Sequence, residues 1–392
     1  MKPPTQLEAQ ISRWIEAGVI DAQTAERIRA FEAGQERRAT LRWPVLLAMV
    51  FGAMLLAAGI TLFVAAHWID LSPAERFSLV LLMVAVFHAG GAALSTRFPA
   101  MSTTLHAIGT IVLGAAIFLT AQIFNLHEDW ATGILLWAVG AAVGYLLLRD
   151  WVQAALVALL APAWLSCQWG ITTEWHTGGD HILAIGLVLL SLSYLSARVG
   201  DDVSTVRRVL VWIGGFAVLP CVAIAIAIAI QEGYPYRAQW ESHLSVGIQL
   251  MGWTVALVGP LLLAWILRGR AAWINLLWAV WACTLVITAR HTQAYAGQEI
   301  RDNVSMTLAL YALSALGAVA LVAWGLYEKR KERLNLGIAG FALCVLYFYF
   351  DSFMDKMGRS ESLLLLGVLC LAGGFALERT RRRLVARLET DR

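Results

Sequence analysis

Residues 132–148 read TGILLWAVGAAVGYLLL and residues 152–167 read VQAALVALLAPAWLSC, with only Arg149-Asp150-Trp151 between them. Each run is uncharged and approaches the ~20 apolar residues a helix needs to cross a hydrocarbon core ~30 Å thick. Neither run has a polar face to turn towards water, so neither is an amphipathic surface helix. Together they read as a helical hairpin in lipid, and this sets the fold class as all-α, a polytopic transmembrane helical bundle.

The pattern repeats along the chain. Apolar runs bounded by charges predict spans at 45–66, 77–95, 104–124, 132–148, 152–167, 182–197, 210–230, 244–267, 271–289, 304–327, 334–350 and 362–377, about 12 in all. The sixth and twelfth are short for a full crossing. Of the 392 residues, 59% are hydrophobic and 15% charged, against ~25% charged in soluble domains. The 17 tryptophans suit the membrane–water interface that Trp favours. Five cysteines in or beside apolar runs, without C-x-x-C spacing, read as buried thiols.

Positive residues are retained on the cytoplasmic side. With the N-terminus inside, 24 of the 30 Lys and Arg fall on inner segments and 6 on outer loops. The expected topology is N-in/C-in, in a bacterial inner (cytoplasmic) membrane. Residues 1–43 are polar and end in Arg37, Arg38 and Arg42, which marks the first span as a retained anchor. Domain organisation follows: 1–43 a cytoplasmic helical hairpin, 44–378 the transmembrane bundle, and 379–392 a basic cytoplasmic tail.

In the head, Leu7, Ile11, Trp14 and Ile15 share one helical face, Gly18 breaks the helix, and Asp21 is placed to cap a second helix carrying Ala25, Ile28 and Phe31. Residues 1–43 are therefore a packing or docking surface, for a homo-oligomer or a cytoplasmic partner. The tail's Arg379, Arg381, Arg382 and Arg383 suit anionic membrane lipids, and no nucleic-acid recognition module accompanies them. The run Leu136 to Arg149 resembles Gly252 to Arg268, each a Trp-bearing span ended by Arg and followed at once by another. Repeated, parallel four-helix units would explain this, as would chance likeness between apolar runs.

No charge sits at mid-depth in any predicted span. The deepest titratable residues are the intramembrane polar pair His88 and His106, read as interhelical hydrogen-bonding groups or, alternatively, a proton relay. Gln122, Gln249 and Asn275 are read as interhelical glue, and Gly140 and Gly144 as a G-x-x-x-G packing face. Clear Gly- or Pro-broken paired helices are not evident.

The outer face carries six of the eight histidines, and acids there outnumber bases. The densest cluster is Asn125-Leu126-His127-Glu128-Asp129-Trp130, just after Gln122. Ligand-pocket candidates are His67, Gln122, His127, Glu128 and Asp129, with a carboxylate as base and an imidazole as acid or ligand. The plain alternative is a solvated acidic rim. No hydrolase, phosphate-loop, dinucleotide or metal-ligand motif occurs, so neither a catalytic set, a metal nor a cofactor is assigned.

Four stretches carry a resemblance. The head Ile11-Ser12-Arg13-Trp14-Ile15-Glu16-Ala17-Gly18-Val19-Ile20-Asp21, the span end Ala65-Ala66-His67-Trp68, the segment from Gln122 to Trp130 leading to Leu135-Leu136-Trp137-Ala138, and the tail from Leu377 to Leu384 are similar to the DUF2157 family of predicted bacterial membrane proteins. Where that family commonly has Asn before the first-loop Trp, this chain has His67. The resemblance implies an inner-membrane location and a shared architecture, and it implies no activity.

Three functions stay open. Twelve spans and the repeat favour a transporter of a small solute or lipid. The outer acids favour an envelope-lipid-modifying enzyme with an outward-facing acid/His site, although the outer loops are short and no catalytic motif appears. The cytoplasmic hairpin favours a membrane scaffold or envelope regulator.

Overall fold

The computed structural model describes residues 71–124, 130–173, 179–198, 204–232, 244–294 and 300–352, most of 11–28, and isolated positions at 55 and between 364 and 379, with side chains left aside at 292–294, 300–306 and 352. Among the described residues every regular element is a helix: α1 (Pro73–Leu94), α2 (Pro99–Ile123), α3 (Trp130–Leu148), α4 (Trp151–Thr172), α5 (Asp180–Leu195), α6 (Thr205–Glu232), α7 (Val246–Trp253), α8 (Gly259–Arg268), α9 (Trp273–Ala294), α10 (Ile300–Tyr327) and α11 (Lys331–Ser352). Eight helical stretches among them are long and apolar enough to cross a membrane. Helices occupy the positions of the second to eleventh predicted spans, while 45–66 and 362–377 fall almost wholly outside the described residues.

The α3–α4 hairpin turns as its sequence suggests. Arg149 takes the left-handed region (φ 53°), and the Asp150 side chain accepts a hydrogen bond from the Val152 amide at 3.1 Å, capping α4. A second turn comes from a chain break of a different kind. Val246–His291 is a 46-residue apolar helical stretch, which as a straight rod would extend ~69 Å. Both of its halves pack against α5, whose 16 residues extend only ~24 Å. The stretch therefore folds back on itself, at Gly269 (φ 58°) and the 3-10 turn Gly269–Ala272.

Among the described residues, proline or a π turn interrupts three helices, of which α6 has Pro220 within it and the other two flank α5. α4 contains Pro162, and α7 passes into α8 through a π turn at Thr254–Val258, directly before Gly259-Pro260. Helices broken at Pro and lined up against one another were not expected from the sequence, and the packing around α5 brings these two together.

α5 is the centre of the bundle. Ile185, Leu192 and Leu195 are at most 1% exposed, and every residue from Ser191 to Ala197 is buried. It packs along α6 most extensively, and also against α8 and α9. At ~24 Å it is shorter than the ~30 Å hydrocarbon core, so its C-terminus ends among protein groups. The last carbonyls of a helix lack intrahelical donors, and a buried unpaired carbonyl costs ~1–3 kcal/mol.

Each of these carbonyls has a donor. The Ser196 amide serves Leu192 O and the Ala197 amide serves Tyr194 O, both at 3.0 Å, while the Ser196 hydroxyl serves Ser193 O at 2.7 Å. Arg333 Nη2 donates to Leu195 O at 3.4 Å and Arg198 O at 3.5 Å, and Arg268 Nη1 donates to Ser196 O at 3.0 Å. Arg333 is 1% exposed and Arg268 7%. Glu328 neutralises part of their charge, pairing with both guanidiniums and accepting from Trp324 Nε1 at 2.6 Å. The Arg333 guanidinium also lies 4.1 Å over the Trp324 ring. Asn275, 2% exposed, reaches the Ser193 and Ser196 hydroxyls at 3.5 and 3.4 Å, the interhelical role expected of it. Gln249 instead bonds locally to Leu244 O and is exposed, and Gln122 is exposed at the end of α2.

The G-x-x-x-G face also differs from expectation. A methyl at Gly140 would meet Leu113 of α2, whereas one at Gly144 would meet Gln153 of α4. The two glycines accept side chains from different helices rather than one backbone. The four described cysteines are unpaired and half-buried.

In the head, Gly18 has φ 67°, the Asp21 side chain accepts from the Thr24 amide at 2.9 Å, and Ile11 and Ala25 are buried. Trp14 and Ile15, expected on the packed face, are about two-fifths exposed at 39% and 38%.

Glu328 sets a pH dependence. Burial pushes its carboxyl up, but the hydrogen bond from Arg268, the charge and hydrogen bond of Arg333 and the Trp324 N–H hold it below its ordinary value of 4.5. A depressed carboxylate contributes stability above its unfolded value and loses it as pH falls through the folded one. Thermal unfolding in detergent should therefore fall steeply below about pH 4.5, and Glu328→Gln should flatten that limb and cost ~3 kcal/mol at neutral pH by leaving two buried guanidiniums unneutralised. An unchanged acid limb in the variant contradicts this account.

Candidate functional site

Of the pocket residues expected from the sequence, His67, His127, Glu128 and Asp129 lie outside the described residues. Gln122, the fifth, is exposed and touches neither polar cluster described below.

His88 and His106 are brought together. Their Nδ1 atoms are 3.1 Å apart and their ring centroids 5.3 Å. One imidazole must donate and the other accept, so the pair bears at most one extra proton without breaking its own bond. The close approach depends on two glycines. Gly91 lies under the His106 ring and Gly109 under the His88 ring, and a methyl at either position would stand 2.8 Å from an imidazole Nε2. Each histidine is thus seated three residues from the glycine that seats its partner. Ser102 adds a hydroxyl bond to Gly91 O at 2.7 Å.

The pair continues into a polar chain through the apolar interior. Thr110 donates to His106 O at 3.1 Å, and Gln153 of α4, fully buried, donates to Thr110 Oγ1 at 2.9 Å and His106 O at 3.3 Å. Trp137 Nε1 of α3 donates to Thr110 O at 2.9 Å. Four helices are joined by one connected set of donors and acceptors, a form of adhesion that suits lipid, where apolar surface supplies no net drive for association. Gln153, Thr110 and Trp137 were not singled out from the sequence. Gln153 had a signal, a lone amide two residues inside an apolar run, and Thr110 and Trp137 had none.

A second feature lies beyond α3. Between α4, α5 and the α7–α8 stretch runs a cleft of about 360 Å³, lined by Leu165, Trp169, Leu187, Leu190, Val255 and Pro260 among others. Its walls are apolar, and the helix interruptions surround it. Pro162 has no N–H for Ala158 O, and the Tyr194 hydroxyl of α5 donates to that carbonyl at 3.0 Å instead. Across the cleft the Ser193 hydroxyl donates to Pro260 O at 2.9 Å. The breaks are therefore held open by bonds from α5 rather than left as loose joints.

Beside the residues Ile182 and Leu183 that line the cleft, His181 Nδ1 stands 2.8 Å from Glu232 Oε2. Glu232 is 4% exposed, and its other oxygen accepts from the His181 backbone amide at 3.2 Å. The side-chain contact is within ion-pair distance without being an aligned hydrogen bond, so the backbone bond is the firmer of the two. The meeting of His181 and Glu232 is not evident from the sequence. Trp169, 9% exposed, also lines the cleft, and its indole N–H has no hydrogen-bond partner.

Residues 12–154 match the family described as predicted membrane protein (DUF2157). Over this stretch the chain is similar to that family. The matched segment is a little over a third of the chain, and it holds the whole His88–His106–Thr110–Trp137–Gln153 set and the five expected pocket residues. The cleft, the His181–Glu232 pair and the arginine clasp all lie beyond it. No curated protein and no solved structure matches the chain.

The seating of the histidine pair is testable. Gly109→Ala should cost about 1–3 kcal/mol through the forced displacement of His88, read as a lower midpoint of thermal unfolding in detergent. Gly247→Ala, where a methyl meets nothing within 4 Å, should leave the midpoint unchanged or raise it. Equal shifts in the two variants contradict the reciprocal packing.

Proposed function

We propose that this multi-pass membrane protein carries a lipid or other apolar small molecule, using the cleft between α4, α5 and α7–α8. The cleft itself is the observation that supports the reading. Its volume of about 360 Å³ falls in the ~300–1,000 Å³ range of small-molecule sites, and its walls suit an acyl or isoprenoid chain rather than an ion or sugar. Interrupted helices beside a binding site are a means by which carriers change access, and π turns occur disproportionately at functional sites. Pro162, the π turn and Gly259-Pro260 meet that description.

The topology proposed with it is twelve spans with both termini inside, in a bacterial cytoplasmic membrane, supported by the 24 to 6 partition of Lys and Arg. In that orientation the cleft belongs to the outer half of the membrane. Single cysteines at Ser204 and Ser245 should label from opposite sides of intact cells, and same-side labelling contradicts the arrangement. A second reading, an enzyme acting on an envelope lipid, draws on the His181–Glu232 pair beside the cleft, where an imidazole and a buried carboxylate meet. His67, Gln122, His127, Glu128 and Asp129 remain proposed contributors to an outward-facing pocket in that reading. Residues 1–43 remain a proposed surface for a cytoplasmic partner or a second copy.

The test fills the cleft. Val255 lines it and is 45% exposed, so Val255→Trp occupies the space without overpacking the core. Reconstituted protein should move a short-chain fluorescent phospholipid between leaflets faster than protein-free vesicles. Val255→Trp should lower the protein-dependent rate by about tenfold, the scale of ~1.4 kcal/mol, with the midpoint of unfolding kept. Chemical alteration of the lipid headgroup, seen by mass spectrometry, would favour the enzyme. Protein-dependent movement that survives Val255→Trp would rule out the cleft as the path.

A further inference from the structure

The cleft between α4, α5 and α7–α8 has a direction. Contacts along it set the order of its levels: Gly179 and Gly252 lie against the Trp169 ring, Gly186 lies against Ala256, and at the far end Tyr194 meets Ala158 O while Ser193 meets Pro260 O. α5 and α7–α8 therefore run the same way, and α4 runs against them. Pro162, Leu190 and Pro260 line the far end, while Gln168 and Thr172, one turn apart near the end of α4, line the other. Between Pro162 and Thr172 the helix rises ~15 Å. Gln168 and Thr172 are the amide and hydroxyl side chains of the lining among the described residues, and both stand at that one end.

The Gln168 amide is open to a ligand. It is exposed, and its side chain makes one bond, from Nε2 to Thr172 Oγ1 at 3.5 Å, the outer limit of such a contact. The Thr172 hydroxyl already donates to Gln168 O at 2.8 Å, so it positions the amide without saturating it. A second N–H and the amide oxygen are left without a partner among the described residues, at the edge of an apolar slot where such groups call for one.

An apolar slot with one amide at its mouth matches a hydrocarbon chain with an acceptor at its root, and an ester carbonyl is the acceptor found directly at the root of an acyl chain. The volume of about 360 Å³ equals about twelve waters at ~30 Å³ each, room for one chain rather than two. We propose that the cleft takes a single-chain ester lipid, its tail towards Pro162 and Pro260 and its ester carbonyl accepting from the Gln168 amide N–H. The site is the one given by the carrier reading, on which this rests. Gln168 is then the residue that tells an acyl ester from an alkyl ether, which has no carbonyl.

Full-length protein in lipid nanodiscs is photolabelled with a monoacylglycerol bearing a diazirine at the end of its chain, and mass spectrometry locates the label. Labelling should saturate and fall around Leu190 and Pro260. Unlabelled monoacylglycerol should compete roughly three- to tenfold better than the alkyl ether of the same chain, the scale of one neutral hydrogen bond. Gln168→Leu should keep the position of the label and abolish that preference, and Val255→Trp should remove the label. Equal competition by ester and ether in the parent protein, or a preference kept by Gln168→Leu, overturns the inference and leaves the cleft a lipid site. Label that survives Val255→Trp, or falls elsewhere, overturns the inference and the carrier reading together. The expected labelling without protein-dependent movement of lipid between leaflets upholds the inference and sinks the carrier reading alone.

Discussion

A helix too short to reach water must have its last carbonyls satisfied by the protein, and α5 is such a helix. Its sixteen residues end among side chains, where the partial negative charge of the helix C-terminus has no solvent to meet it. Arg268 arrives from the end of α8 and Arg333 from the start of α11, and each donates to carbonyls just at or past the end of α5. Both cations then need a counterion, and Glu328 between α10 and α11 supplies it. Three separate regions of the chain are fixed relative to α5 by the requirements of a few backbone oxygens.

The same helix organises the cleft. Its second half is rich in hydroxyls, and these serve neighbouring breaks: Tyr194 takes over the donor that Pro162 removed, Ser193 binds Pro260 O, and Ser196 meets Asn275. Lipid offers no donor or acceptor to a broken helix, so a Pro kink in a membrane survives where another helix completes its bonding. Because α5 completes the bonding of α4 at Pro162 and also bonds Pro260 O of α8, the two broken helices are held apart at a fixed distance and the space between them stays open. Stability at the arginine end and an opening beside α4 thus derive from one buried element.

Much of this architecture is written in the sequence in a form that physics can read. Uncharged runs near 20 residues must be helices in lipid, and the Arg149-Asp150 break must be a turn, since so short a gap between two spans leaves room for nothing else. His88 and His106 stood out as polar groups at depth, because such groups need partners. What periodicity could not tell was that they partner each other, since the pairing depends on Gly91 and Gly109 lying under the opposite rings. The clasp was hidden for a similar reason. Arg268 and Arg333 counted as positive-inside residues flanking spans, and only the early end of α5 turns them inward. Pro162 and Gly259-Pro260 were visible singly, but convergence on one cleft is a property of packing. The outer cluster around His127 lies outside the described residues, and its role rests on the sequence alone.

The central claim is that the arginine clasp holds the end of α5. Hydrogen–deuterium exchange of the peptide covering 180–198, with protein in lipid nanodiscs, tests it directly by comparing the parent with Arg333→Met, which keeps side-chain volume and removes the donors. The account predicts faster exchange confined to the amides of Leu192 to Arg198 and their neighbours on α11, with α2 and α3 unchanged. Full protection of the end of α5 in Arg333→Met would show that its carbonyls need no such donor, and would contradict the account.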